Sequence, residues 1–115
     1  MHPIARSTLF AASLALTGVH PALAAEAYPT RPIRLIVPFP PGGGTDIMGR
    51  LVASHLTEKL GVQTVVDNRG GAGGILGTEL AAKANPDGHT LLIGSVSTIS
   101  INPSLYTRLP FDTVK

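Results

Sequence analysis

Three short stretches hold most of the residues that could bring backbone and small hydroxyls up to a ligand. They are Pro38-Phe39-Pro40-Pro41-Gly42-Gly43-Gly44-Thr45-Asp46, Asp67-Asn68-Arg69-Gly70-Gly71-Ala72-Gly73-Gly74 and Gly94-Ser95-Val96-Ser97-Thr98. Glycine removes the Cβ that keeps other molecules off the chain, and proline stiffens the approach. If a helix starts behind such a loop, its first turn offers free N–H groups and the positive end of the macrodipole. A carboxylate or phosphate can then be held without a side-chain cation. The same composition also makes a plain tight turn from strand to helix. Asp46 suits that plainer role, since its charge would repel an anion but favours a helix start.

Nucleotide chemistry fails at the residues that would perform it. A phosphate loop needs Lys-Ser/Thr after its last glycine, and here Thr45-Asp46 follows Gly44. In the second stretch Gly71-x-Gly73 lacks a third glycine three residues on, where Leu76 stands. Catalysis has little to work with. Past residue 24 the only histidines are His55, inside a helical pattern, and His89, after a turn at the far end from the three stretches. Gly94-Ser95-Val96-Ser97-Thr98 lacks the closing glycine of a nucleophile elbow. No His, Asp or Glu set has metal-ligand spacing. The expectation is a binding protein, not an enzyme, with no cofactor and no metal.

Composition narrows the partners. Nine Lys+Arg against seven Asp+Glu give a net charge of +2, and the basic residues are scattered along the chain. With two Tyr, three Phe and no Trp, stacking platforms for nucleic acid are missing, so no nucleic-acid partner is expected. Residues 1–24 have the parts of a secretory signal in order. His2 and Arg6 open it, Leu9 to Leu16 form an apolar run, and Ala22-Leu23-Ala24 is a cleavage site. The run is shorter than the ~20 apolar residues that span a bilayer. Cleavage after Ala24 predicts a periplasmic chain from residue 25, with no membrane insertion of its own. The absence of cysteine suits export without disulfides.

The elements that must position the three stretches repeat. An apolar strand over Ile33 to Val37 leads into the first stretch. A helical stripe of Ile47, Met48, Leu51, Val52, Leu56 and Leu60 follows, with Thr45 or Asp46 as N-cap and Gly61 as stop. A second strand over Val62 to Val66 leads into the second stretch. A helix over Ile75 to Ala84 comes next, with Leu76, Leu80, Ala81 and Ala84 facing inward. After the turn Asn85-Pro86-Asp87-Gly88 comes a third strand, Thr90 to Ile93, leading into the third stretch. Strand starts about 28 residues apart fit βαβαβ crossovers. Right-handed connections make this an α/β parallel sheet of order 2-1-3. In such sheets ligands bind beyond the strands' carboxyl ends, where the order reverses. All three stretches fall there.

The quoted residues resemble a known family. Tyr28-Pro29-x-Arg31-Pro32-Ile33-Arg34-Leu35-Ile36-Val37-Pro38-Phe39, Pro41-Gly42-Gly43-x-Thr45-Asp46 and Asn68-Arg69-x-Gly71-Ala72-Gly73-Gly74 are followed by Pro86-Asp87-Gly88-x-Thr90-Leu91-Leu92 and Ile101-Asn102-Pro103-Ser104-Leu105-Tyr106. Five motifs in this order are similar to the N-terminal part of Bug-type receptors, the periplasmic substrate-binding components of tripartite tricarboxylate transporters. The resemblance implies a two-lobe, Venus-flytrap periplasmic-binding-protein fold, of which residues 25–115 are the N-terminal part of lobe 1, the second lobe being absent from this sequence. It implies a small carboxylate or amino acid as ligand and membrane permease components as partners. Carried onto this chain, it implicates Phe39, Pro40, Gly42, Gly43, Gly44 and Thr45, and Gly71, Ala72, Gly73 and Gly74. Ser95, Ser97 and Thr98 are further polar candidates. A sensor feeding a two-component system, or a secreted hydrolase whose catalytic groups lie elsewhere, are the alternatives.

Overall fold

A computed structural model describes residues 27–114; the expected signal segment lies outside the described residues. Strand β1 (Ile33–Val37) is central, flanked in parallel by β2 (Thr64–Asn68) and β3 (Thr90–Leu92), so the sheet order is 2-1-3 as the repeat predicts. Ile33 aligns with Thr64 and Val37 with Asn68 on one side, and Arg34 with Thr90 on the other. Ile33, Leu35, Ile36 and Val37 are each 1% exposed or less. A strand with neighbours at both edges and helices on both faces leaves little room for polar side chains, which is why β1 is apolar except for Arg34, half-buried and paired with Asp67. Burying each of these apolar side chains stabilises the fold by about 1.5–3 kcal/mol.

Helix α1 (Gly44–Leu60) follows β1, and α2 (Ile75–Ala82) follows β2. A Cβ added at Gly49 in α1 would come 2.7 Å from Val37 Cγ2, and one at Gly77 in α2 would come 2.8 Å from Pro38 Cα. Val37 and Pro38 are consecutive, and consecutive residues of an extended chain point to opposite faces. The two helices therefore cover opposite faces of the sheet, as right-handed crossovers to opposite sides of β1 require.

Several expectations need correction, the smallest being that α2 ends at Ala82 and not Ala84 and β3 at Leu92 and not Ile93. The second strand runs over Thr64–Asn68 and not Val62 to Val66. Gly61 ends α1 in the left-handed region (φ 70°), and the Thr64 N–H donates to Thr57 Oγ1 at 2.9 Å. The chain thus spends Val62 and Gln63 on the turn before pairing begins. The helix faces also differ. Ile47, Met48, Leu51 and Leu60 are exposed on α1, while Asp46, Gly49 and Ala53 are buried. On α2, Leu76 and Leu80 are exposed, and Gly77 and Thr78 are buried. Both helices approach the sheet so closely that only small residues fit between, and the large apolar residues are displaced to the flanks. Lastly, the third stretch is no loop throughout. Ser97–Ile101 form a wide helical turn that runs into α3 (Asn102–Leu105).

At the sheet's other end, the segment before β1 is stapled to the turn before β3. Tyr28 OH donates to Gly88 O at 2.6 Å, and Arg31 pairs with Asp87 at 2.6 Å. The Thr30 N–H donates to Nε2 of the buried His89 at 3.3 Å. His89 thus sits far from the three glycine, serine and threonine stretches, and His55 is exposed on α1.

Candidate functional site

The first loop places the start of α1. Gly43, in extended conformation, is the N-cap, and no side chain caps the helix. Neither Thr45 nor Asp46 takes the cap position expected of it. Asp46 instead lies in the first turn and points its carboxylate back along the loop, where the Gly42 N–H donates to Oδ2 at 2.9 Å. Gly42 needs its freedom here, since its φ is 92°. Arg50 Nε donates to the same oxygen at 3.0 Å and Asn68 Nδ2 to Oδ1 at 2.9 Å. Asp46 is 4% exposed, yet these partners, Gly42 foremost and then Arg50 and Asn68, hold its pKa down at about 2. Its charge is thereby turned inward and matched. The first-turn amides of Gly44 and Thr45 are left without a side-chain cap.

The second loop is wound into the left-handed region for four residues running, with φ of 132°, 48°, 63° and 89° at Gly71, Ala72, Gly73 and Gly74. Three of the four are glycine, as that geometry demands. Ala72 is not, and strain of this kind concentrates at functional sites. Gly74 closes the turn, donating to Gly71 O at 3.0 Å. It is also where the loops meet. A Cβ on Gly74 would lie 2.6 Å from Thr98 Cγ2 and 3.3 Å from both Phe39 Cζ and Pro38 O. Asn102, 5% exposed, donates from Nδ2 to Gly73 O at 3.0 Å.

In the third stretch the hydroxyls serve one another. Thr98 Oγ1 donates to Ser95 O and accepts from the Ser95 N–H, both at 3.0 Å. Ser95 Oγ lies 2.8 Å from Ser97 Oγ. Thr98 is fully buried and packs under the second loop, while Ser95 and Ser97 are half-buried. An open cleft of about 550 Å³ separates the start of α1 from this stretch, lined by Gly44, Thr45, Met48, Val52, Ile93, Gly94 and Ser95. Pro40, Gly42, Gly43, Gly71, Ala72 and Gly73 are exposed along the same edge, and Phe39 is half-buried between the first two loops. The thirteen expected residues thus gather at the carboxyl end of the sheet. Gly44, Thr45 and Ser95 face one cleft; Thr98 and Gly74 pack beneath it.

Side-chain cations are committed elsewhere. Arg50 is bound to Asp46, and Arg34 and Arg69 are both bound to Asp67. Burial works against the Asp67 charge, but those two guanidinium groups outweigh it and lower its pKa. Among the described residues no group of three or more His, Cys, Asp or Glu could hold a metal ion, and no helix is long and apolar enough to cross a membrane. Two residues that tie the site together, Asn68 and Asn102, stand in the quoted motifs but were given no role by sequence. Their signal was an asparagine next to backbone that must bend sharply, a setting where a side-chain amide can satisfy a carbonyl the turn leaves unpaired.

Comparison with known proteins identifies the family. Residues 48–115 match the family described as tripartite tricarboxylate transporter family receptor. BugT of Bordetella pertussis (strain Tohama I) is 45% identical over 103 residues, which are 89% of this chain and 32% of BugT. The chain thus spans about a third of that relative's length. A solved periplasmic transporter superposes with a TM-score of 0.75 at 52% identity, covering 77% of this chain and 30% of the other. A protein of R. palustris solved with adipate gives a TM-score of 0.73 at 38% identity, covering 76% and 29%.

Proposed function

Because the chain belongs to the tripartite tricarboxylate transporter family of receptors, we propose that it is a periplasmic solute receptor that captures a small carboxylate or amino acid for membrane permease components. The observation that carries this reading is the uncapped first turn of α1, set across a cleft from Ser95. Two amides with no side-chain partner, at the positive end of a seventeen-residue helix, suit a carboxylate oxygen. Among the described residues, no guanidinium lines the cleft. A related protein solved with adipate supports the carboxylate class. In this reading Phe39, Pro40, Gly42, Gly43, Gly44 and Thr45 form one wall. Gly71, Ala72, Gly73 and Gly74 form the adjoining rim, Ser95 and Ser97 supply hydroxyls, and Thr98 supports them from below.

In this reading the receptor binds and releases its ligand without altering it; among the described residues the Ser95 hydroxyl is hydrogen-bonded to the hydroxyls of Ser97 and Thr98. Residues 1–24 act as the export signal, and the ligand is enclosed when a second lobe, supplied by sequence outside this chain, closes over the cleft. The test is Gly44→Val. No atom lies within 4 Å of a Cβ at Gly44, so the fold should tolerate the change while the side chain intrudes on the cleft. Calorimetric titration of the protein carrying both lobes with adipate, malate and aspartate should show affinity falling at least tenfold, roughly 1.4 kcal/mol. Unchanged affinity in a variant that melts normally would remove the seat from this loop.

A further inference from the structure

Asn68 is the last residue of β2, and its side chain does not join the ladder. It reaches sideways under the first glycine loop, where Nδ2 donates to Phe39 O at 3.1 Å and to Asp46 Oδ1 at 2.9 Å. Asp46 in turn accepts from the Gly42 N–H through its other oxygen. One amide group thus ties the beginning of the loop, at Phe39, to the carboxylate that holds its middle, at Gly42. We propose that Asn68 is a positioning residue: it fixes the loop from Phe39 to Gly44 so that the first-turn amides of α1 are already aimed at the cleft before a ligand arrives. This rests on the carboxylate-seat reading given above.

The geometry favours this over simple filling of space. Both hydrogens of an amide NH₂ are used, one on the loop's Phe39 carbonyl and the other on Asp46 in the first turn of α1. Asp46 would be a poor neighbour for an anion if its carboxylate were free to swing outward. With Asn68 on one oxygen and Gly42 and Arg50 on the other, that charge is held in place by three donors. Holding a binding loop in its bound shape removes an ordering cost that would otherwise be subtracted from affinity. No other residue type of similar size does this, because aspartate at the same place would meet Asp46 Oδ1 with an acceptor, and leucine would offer no donor at all.

Two variants separate positioning from packing. Asn68→Ala removes the donor; Asn68→Asp keeps the shape but sets a second carboxylate against Asp46, with Arg50, Asp67 and Arg69 the other charged groups nearby. Hydrogen exchange by NMR should show the Gly42 amide losing protection at least tenfold in Asn68→Ala and in Asn68→Asp at pH 7. In Asn68→Asp alone, protection should return in part near pH 4, when the carboxylate pair takes up a proton that can bridge it. A residue that only filled space would give no such recovery. Adipate affinity should fall at least tenfold in Asn68→Ala. Unchanged Gly42 protection in Asn68→Ala, loosened protection with unchanged adipate affinity, or a loss in Asn68→Asp that never recovers with acid would each overturn the proposal. If Asn68→Asp does not fold, Asn68→Ala decides the matter alone. A wild-type protein that binds none of adipate, malate and aspartate refutes the seat itself, and the exchange results then still decide whether Asn68 holds the loop.

Discussion

Replacing Gly74 by alanine should be among the most damaging single-methyl additions available in this chain, and the structure allows its cost to be divided. Gly74 has φ of 89° and would place a Cβ 2.6 Å from Thr98 Cγ2, with Phe39 Cζ and Pro38 O both at 3.3 Å. The left-handed backbone costs an L-residue about 1–2 kcal/mol. Forcing a methyl into a packed site costs about 1–3 kcal/mol more. Gly61 supplies the control, since its φ is 70° but nothing lies within 4 Å of its Cβ. Gly61→Ala should therefore show the backbone cost alone, about 1–2 kcal/mol. The difference between the two variants isolates the packing of the three loops, at about 1–3 kcal/mol. For a domain of this size each kcal/mol lowers Tm by about 4–8 °C, so Gly74→Ala should melt roughly 5–20 °C below Gly61→Ala. Thermal unfolding followed by circular dichroism reads this directly. Equal melting temperatures for the two variants would mean that the loops do not meet at Gly74, and the account of the site as one welded edge would fail.

The remaining expectations are simpler to state. Asp46 is held at about pKa 2 in the fold against an ordinary value of 3.8, so its contribution to stability is complete above about pH 4 and is lost as pH falls towards 2. Acid titration by circular dichroism should show wild type losing stability across that window and Asp46→Asn, already weaker at pH 7, losing less; parallel curves would refute the assignment. Asn102→Ala frees the Gly73 carbonyl; the carbonyl borders solvent, so the loss should be modest, about 1 kcal/mol, measured by urea unfolding. Processing after Ala24 predicts periplasmic material whose N-terminal sequencing begins Ala25-Glu26-Ala27; a secreted product that keeps Met1 would contradict it.

The sheet was legible because its signal is redundant. β1 is an apolar run bracketed by prolines, each crossover repeats at similar length, and right-handedness leaves one arrangement of three strands. The helix faces were misread for a physical reason. Periodicity finds the largest apolar stripe, whereas the tightest contact with a sheet is made by the smallest side chains. Gly49 and Ala53 on α1, and Gly77 on α2, carry almost no hydrophobic signal and are buried, while Ile47 and Leu76 carry a strong one and are not. At the site, glycine-rich loops told where the backbone bends but not what pins it. Asp46 pins Gly42 from four residues away, but Asn68 and Asn102 act across 22 to 29 residues of sequence, and no local pattern specifies such partners.

The place of β1 in the sheet also sets an order in time. A polypeptide is made, and where exported is threaded, from its N-terminus, so the strand destined for the centre is the first to emerge. Its neighbour at Thr64 follows Ile33 by 31 residues, and its neighbour at Thr90 follows Arg34 by 56. Until then Ile33-Arg34-Leu35-Ile36-Val37 has two unpaired edges and no hairpin partner to shelter it, the condition under which apolar strands find strangers. A growing chain halted between Asn68 and Thr90 would hold this strand with one side still open. Any factor that guards this protein during its synthesis or passage should therefore bind near Ile33–Val37 and be released only after Leu92 has come through.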